Sequence, residues 1–302
     1  MESSSFEKCL RYVRTIHETF ASAEREEWHV AHTVMTQHVT SGPRCVLFSP
    51  HPDDEIITGT LPLRLMREMS ASVMNVAVTA GSLLCRRSER LEEARNACNN
   101  IGFSFYAPEG TGFSDVTDTA ARDNPRRWLN AVRSIAELLQ KEKPDIVFMP
   151  HAEDWNRTHV GTNRLVMAAL SRCPQLSCLV VETEYWAPMK SPNLLVGATP
   201  EVVAHLIDAL LCHGKELKRN PYHLRLPAWM MDNVRRGSEL VLGQGAQSYQ
   251  GVFATLYRIR EWNGTSLVES LFGNQVVPAH ESLAGYLGLM TCYGSNSESN
   301  SR

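Results

Sequence analysis

Short apolar runs of strand length recur along this chain, each followed by a stretch with helical spacing. Arg44–Pro50, Val73–Thr79, Asp145–Pro150 and Cys178–Glu182 are the strand candidates. Helical patterns fill 60–69, 86–100, 126–142 and 161–171, with Thr60 a fitting cap and Gly102 a fitting stop. Strands that alternate with helices are joined by crossovers and therefore pair in parallel. The expected class is α/β, a Rossmann-like, mostly parallel sheet with flanking helices. Residues 200–218 and 224–236 also look helical, while 252–259 fits a strand or a helix equally well. In open sheets of this kind ligands bind at the carboxyl ends of the strands.

Composition narrows the function. Basic residues number 30 and acidic ones 33, so no positive field exists for general binding of nucleic acid. No apolar run reaches the roughly 18–20 residues of a membrane span. The start, MESSSFEKC, lacks the basic and apolar parts of a secretory signal. Eight cysteines without CxxC spacing fit reduced thiols better than a disulfide scaffold. A cytoplasmic location is expected. Neither GxGxxG nor GxxxxGK[ST] is present, which disfavours a nucleotide binder. Ahead of the α/β pattern, Phe6, Leu10, Val13, Ile16 and Phe20 mark one or two amphipathic helices within 6–38, packed beside the main domain. The Ser/Asn-rich stretch Gly294–Arg302 reads as a disordered tail.

Two polar clusters stand directly after strands: His51-Pro-Asp53-Asp54-Glu55 and His151-Ala-Glu-Asp154-Trp-Asn156-Arg-Thr158-His159. They can converge across the sheet edge. Imidazole nitrogens with a carboxylate oxygen suit zinc, and three protein ligands leave a position for water. A second carboxylate beside the ligand can take the water proton. The plainer alternative is a helix cap, a solvated charge and a packed histidine.

Ser49-Pro-His51-Pro-Asp53-Asp54-Glu55 resembles the HPDDE signature of the PIG-L/LmbE-like family of zinc-dependent deacetylases, which remove N-acetyl groups from N-acetylglucosamine conjugates. Asp154–His159 is similar to that family's D-x-H-x-D-H motif. Arg90-Leu-Glu92-Glu93 with Ile101-Gly102, Glu184-Tyr-Trp186-Ala-Pro188 and Ala209-Leu-Leu-Cys-His213 look like further family segments. The resemblance covers roughly residues 44–260 and implies a metal site of His51, Asp54 and His159. It implies Zn2+, with other divalent metals such as Fe2+ open, since affinity order alone does not choose. It gives Asp53 the role of general base toward zinc-activated water, and Arg90 and Asp115 contact with substrate. For Arg90 the structural alternative is a helical ion pair with Glu93, and for Asp115 a solvated turn.

The family's first histidine and second aspartate in the second motif are Asn156 and Thr158 here. Asparagine can donate a hydrogen bond to an oxyanion but cannot act as an acid near neutral pH. Asp53 is therefore expected to handle both proton steps, with Asn156 a neutral donor, unless His151 swings in as the acid. Trp186 could stack on a sugar or sit in the core, and His213 fits a structural role. The expected layout is a helical extension over 1–42, a deacetylase domain over 43–265 and a C-terminal segment over 266–302. The expected partner is a small amino-sugar conjugate, with no nucleic acid and no membrane span. Competing functions are hydrolysis of another small amide and sugar binding without turnover.

Overall fold

The computed structural model describes residues 5–30 and 41–287. In chain order it begins with α1 (Ser5–Arg25), β1 (Arg44–Ser49), α2 (Asp54–Ile57), α3 (Thr60–Met69) and β2 (Ser72–Ala77). There follow α4 (Arg87–Ile101), β3 (Ser104–Tyr106), α5 (Ala120–Asp123), α6 (Pro125–Glu142), β4 (Ile146–Pro150) and α7 (Arg157–Leu170). The remainder is β5 (Cys178–Thr183), β6 (Leu194–Ala198), α8 (Pro200–Leu210), α9 (Gly214–Arg219), α10 (Tyr222–Leu242), β7 (Phe253–Trp262), β8 (Leu267–Glu269), β9 (Gln275–Val277) and α11 (Ala284–Leu287).

One sheet runs in the order β3-β2-β1-β4-β5-β7-β6-β9, with β8 added beside β7. From β3 to β5 every pairing is parallel, as the alternation of elements predicts. Strand β7 then pairs antiparallel with both β5 and β6, which settles the ambiguous 252–259 run as a strand. Strands β8 and β9 carry the sheet to Val277, beyond the expected domain boundary at 265.

The central strand β1 is buried on both faces, so its side chains feed two cores by alternation. Cys45 and Leu47 join α3, α8 and α10 residues on one face, including Leu61, Leu206 and Met230. Val46 and Phe48 join α6 and α7 residues on the other, including Ile135 and Leu165. Helix α6 starts with Asn124 accepting the Arg127 N–H at 3.3 Å and with Pro125 in the first position, where its missing N–H costs nothing. Helix α4 stops where Gly102 takes φ 90°, a left-handed cap whose N–H reaches the Cys98 carbonyl at 2.9 Å.

Four local expectations need correction. The helix expected at 161–171 begins four residues earlier, because Asn156 caps it. The 200–218 stretch is not one helix: a 3-10 turn over Leu211–His213 separates α8 from α9. Leu194–Ala198, to which no element was assigned above, is the fully buried strand β6, as its unbroken apolar run permits. Helix α1 has no buried residue; it touches the domain near its end, where the Arg225 guanidinium lies 4.6 Å from the Phe20 ring centre. The expected helix through residue 38 and the expected tail 294–302 extend outside the described residues. Among the described residues, no helix is long and apolar enough to cross a membrane.

The topology fixes where a site can form. From β1 the chain moves outward to β2 and β3, then returns to the other side of β1 as β4. The carboxyl ends of β1 and β4 therefore flank a topological switch point, where the sheet edge opens into a crevice. Both polar clusters leave the sheet there.

Candidate metal centre

After β1 the chain turns sharply through His51 and Pro52 into α2. Asp53 makes the turn with φ 112°, a conformation costly for a residue with a Cβ. Three backbone links hold it there. Its N–H donates to Oε2 of Glu55 at 2.9 Å, and its carbonyl accepts from the N–H groups of Ile56 and Ile57. The turn sends Asp53 and Asp54 in different directions. Asp54 faces back toward His51, whose N–H donates to Asp54 Oδ2 at 2.9 Å.

His159 approaches from the first turn of α7, after β4. Its Nε2 lies 3.3 Å from Asp54 Oδ2 and 3.2 Å from His51 Nδ1, and that Nδ1 lies 3.2 Å from the same carboxylate oxygen. The three donor atoms thus form a nearly equilateral triangle. For tetrahedral zinc at about 2.0–2.1 Å from each ligand, neighbouring donor atoms are about 3.3–3.4 Å apart. The triangle fits such an ion without rearrangement. Among the described residues, His51, Asp54 and His159 form the one grouping of three such side chains close enough to share an ion.

A further carboxylate backs His159. Asp154 Oδ2 stands 3.3 Å from His159 Nδ1, at ion-pair distance though off hydrogen-bond alignment. Asp154 is itself fixed by the backbone N–H groups of Asn156 and Trp186. This is how ligand histidines are commonly oriented. Burial disfavours the His159 imidazolium, but Asp54 and Asp154 overcome it and raise the group to about 9. Burial would also raise the Asp54 carboxyl, yet His159 and His51 hold it below the ordinary carboxylate range. Asp53 goes the other way. Burial and the Asp54 charge push it well above the ordinary value, against the pull of Arg90. Two adjacent carboxyls thus have opposite proton affinities, the pattern that separates a metal ligand from an acid–base group.

Arg90 comes from α4, and its guanidinium donates to the Pro52 carbonyl at 2.8 Å and sits 3.6 Å from Asp53 Oδ2. It is not paired with Glu93, which faces Arg86. Room for it is made by Gly81, where a Cβ would lie 2.3 Å from Arg90 Nη1. Asn156 also lines the cleft, beside His51, Asp53 and Arg90. Its Oδ1 accepts the Thr158 N–H at 2.9 Å as the α7 cap, which leaves Nδ2 as the group to offer a ligand.

The structure does not bring Asp115 to this cleft. Asp115 turns outward with φ 59°, is exposed, and pairs with Arg127 at 3.2 Å, so the solvated-turn alternative describes it. The idea that His151 swings in also fails locally. One ring nitrogen is 2.9 Å from the Ala187 carbonyl and the other accepts the Glu153 N–H, so both are engaged. His213 is fully buried against Glu55, and Trp186 is 47% exposed at the cleft, not core.

Sequence reasoning missed several lining residues. Glu216, Arg219 and Tyr222, from α9 and the start of α10, close the cleft opposite α7. Tyr185 lies under the centre, its ring edge-on to His159 at 4.7 Å. The one available signal was Glu216, which follows His213 by three residues and so by one helical turn.

Residues 46–170 match the PIG-L family, described as GlcNAc-PI de-N-acetylase. No curated protein matches the chain by sequence. Among solved structures, N,N'-diacetylchitobiose deacetylase from Pyrococcus horikoshii superposes with a TM-score of 0.53 at 15% identity, covering 87% of this chain and 95% of that one. GalB, the 4-carboxy-2-hydroxymuconate hydratase of Pseudomonas putida KT2440, gives 0.54 at 14% identity, with coverages of 72% and 95%. A zinc-inhibited form of teicoplanin deacetylase Orf2 gives 0.51 at 13% identity, with coverages of 76% and 99%. At these identities the likeness is one of fold.

Proposed function

We propose, from the match of residues 46–170 to the PIG-L family, that this protein is a metal-dependent hydrolase that removes the N-acetyl group of an N-acetylglucosamine-type conjugate. The fold does not select the reaction, since a hydratase shares it. The observation that carries the proposal is the triangle of His51, Asp54 and His159 with Asp53 beside it, buried and basic.

The three triangle residues would hold the ion. A bound divalent metal of the zinc class polarises an amide carbonyl and acidifies water. The protein's own groups do the rest. Asp53, strongly basic in its buried position, takes the proton of the attacking water. Once protonated, the same carboxyl returns the proton to the departing amine. One residue thereby covers both proton steps, which matters because Asn156 cannot. Asn156 offers its Nδ2 as a neutral donor to the developing oxyanion. Arg90 holds the Asp53 turn through Pro52 and limits how far the Asp53 carboxyl rises. The sugar hydroxyls find polar partners in Glu216 and Arg219 across the cleft.

The test is acetate release from methyl N-acetyl-β-glucosaminide by protein reconstituted with Zn2+ or Fe2+, with metal content measured in parallel. Wild type should hold near-stoichiometric metal and release acetate. Asp53→Asn should keep the metal and lose the activity, while His159→Ala should lose both. Wild-type protein that takes up no metal after reconstitution would sink the proposal.

A further inference from the structure

Beside the polar cleft, on the side of α10, opens a second and larger cavity. The polar cleft has a volume of about 170 Å³ and the second about 440 Å³. The two adjoin, since Asp54, Ile57, Trp186 and Tyr222 line both. Their walls differ in chemistry. The cleft is ringed by charged and amide groups. The larger cavity is walled by the rings of Tyr185, Trp186, Tyr222 and Trp229, with Ile57 and Leu226 between them. The Trp186 and Tyr222 rings meet edge to face at 5.9 Å, which fixes that wall. Of its charged lining groups, Asp54 is engaged by two histidines, and the Arg225 guanidinium lies over the Phe20 ring.

This lining suits an apolar group better than a second sugar, for its polar side chains are few: Asp54, Asn220 and Arg225, with the tyrosine hydroxyls and indole N–H groups. A pyranose carries hydroxyls around its rim, and burying them without partners costs free energy at each one. Nor is a rigid, ring-lined hollow of this size ordinary surface, because concave apolar sites of a few hundred Å³ are where ligands bind. A molecule whose amide lies at Asp53 and whose sugar ring fills the polar cleft can direct its remaining substituent into this neighbouring cavity.

We infer that the substrate is an N-acetylated amino sugar bearing an apolar aglycone, alkyl or aromatic, and that the aglycone occupies the Trp186–Tyr222–Trp229 cavity. The inference rests on the deacetylase proposal for the reaction but not for the binding.

Two measurements on the full-length, metal-loaded protein separate the two. The first is acetate release from octyl, 4-nitrophenyl and methyl N-acetyl-β-glucosaminides and from N,N'-diacetylchitobiose. The octyl and nitrophenyl compounds should exceed the methyl compound in kcat/KM by roughly tenfold or more, mainly through KM, as burial of several methylenes or a ring requires. Trp229→Ala should erase most of that preference and Trp229→Phe should retain it. The second is titration of tryptophan fluorescence with the octyl and methyl glycosides, which should favour the octyl compound by a similar ratio.

Equal turnover of all four compounds would overturn the inference while leaving the deacetylase proposal intact, as would chitobiose being preferred. No acetate from any compound, with octyl binding still favoured and still sensitive to Trp229, would do the reverse. Faster hydrolysis of N-octanoylglucosamine than of the octyl glycoside would place the apolar group on the acyl side and overturn it as well.

Discussion

His213 Nε2 lies 2.9 Å from Oε1 of Glu55, both side chains fully buried, and the other oxygen of that carboxylate accepts the Asp53 N–H. A histidine far along the chain thereby helps hold the left-handed turn that presents Asp53. Replacing His213 with Ala leaves a buried carboxylate oxygen without its donor. We expect a loss of about 1–3 kcal/mol in stability by urea denaturation. Activity per folded molecule should fall as well, because the Asp53 turn loosens. His213→Gln, whose amide can donate to Glu55, should recover part of both. Recovery of stability without recovery of kcat would show that His213 does more than hold the turn through Glu55.

Asn156 has two tasks that two substitutions separate. Asn156→Ala removes the α7 cap and should cost about 0.5–2 kcal/mol of stability. Asn156→Asp keeps a good cap but loses the Nδ2 donor and adds negative charge where an oxyanion develops. Its stability should be near that of wild type while kcat drops by roughly 100-fold or more. Full activity in the aspartate variant would remove Asn156 from the chemistry.

Arg90 lowers the proton affinity of Asp53, while burial and Asp54 raise it. Removing the guanidinium therefore moves Asp53 further up. A base must be ionised to act, so the acid limb of the kcat/KM profile should shift to higher pH in Arg90→Ala. Arg90→Lys should shift it less. An unmoved acid limb would mean that Asp53 is not the group it reports.

Near neutral pH the metal-free protein should carry a proton on His159, whose folded value is about 9 against an ordinary 6.5. A folded value above the unfolded one stabilises the fold fully below about 6.5, and that contribution disappears as pH rises through about 9. Metal ligation needs the neutral ring, so binding must expel the proton. Calorimetric titration of Zn2+ in two buffers of different ionisation enthalpy should register this release. Asp154→Asn should reduce the release and weaken metal affinity by roughly 10–100-fold.

What the sequence revealed and what it hid follow from chain distance. The two polar clusters were legible because each is contiguous and each follows an apolar strand, so local order stands in for position. Arg90 was legible only through resemblance, since its helix gives no hint that it reaches back to Pro52. Asp115 misled because its place in the chain carries no record of the φ that turns it toward Arg127. Glu216, Tyr222 and Trp229 were hidden because the α8–α10 helices reach the site by packing. Their amphipathic spacing shows that they pack, not what they face. The antiparallel half of the sheet was hidden too, since the β7 run alternates too weakly for periodicity to separate strand from helix.

The cleft is assembled from two stretches of chain with little overlap. The groups proposed to hold metal and move protons lie between His51 and His159, inside the family-matched region, whereas all four aromatic rings of the apolar cavity lie between Tyr185 and Trp229, beyond it. The two stretches can therefore be altered separately, with one tie between them: a ring of the later stretch can be exchanged for a polar group without touching the Asp53 turn, provided His213 keeps its bond to Glu55.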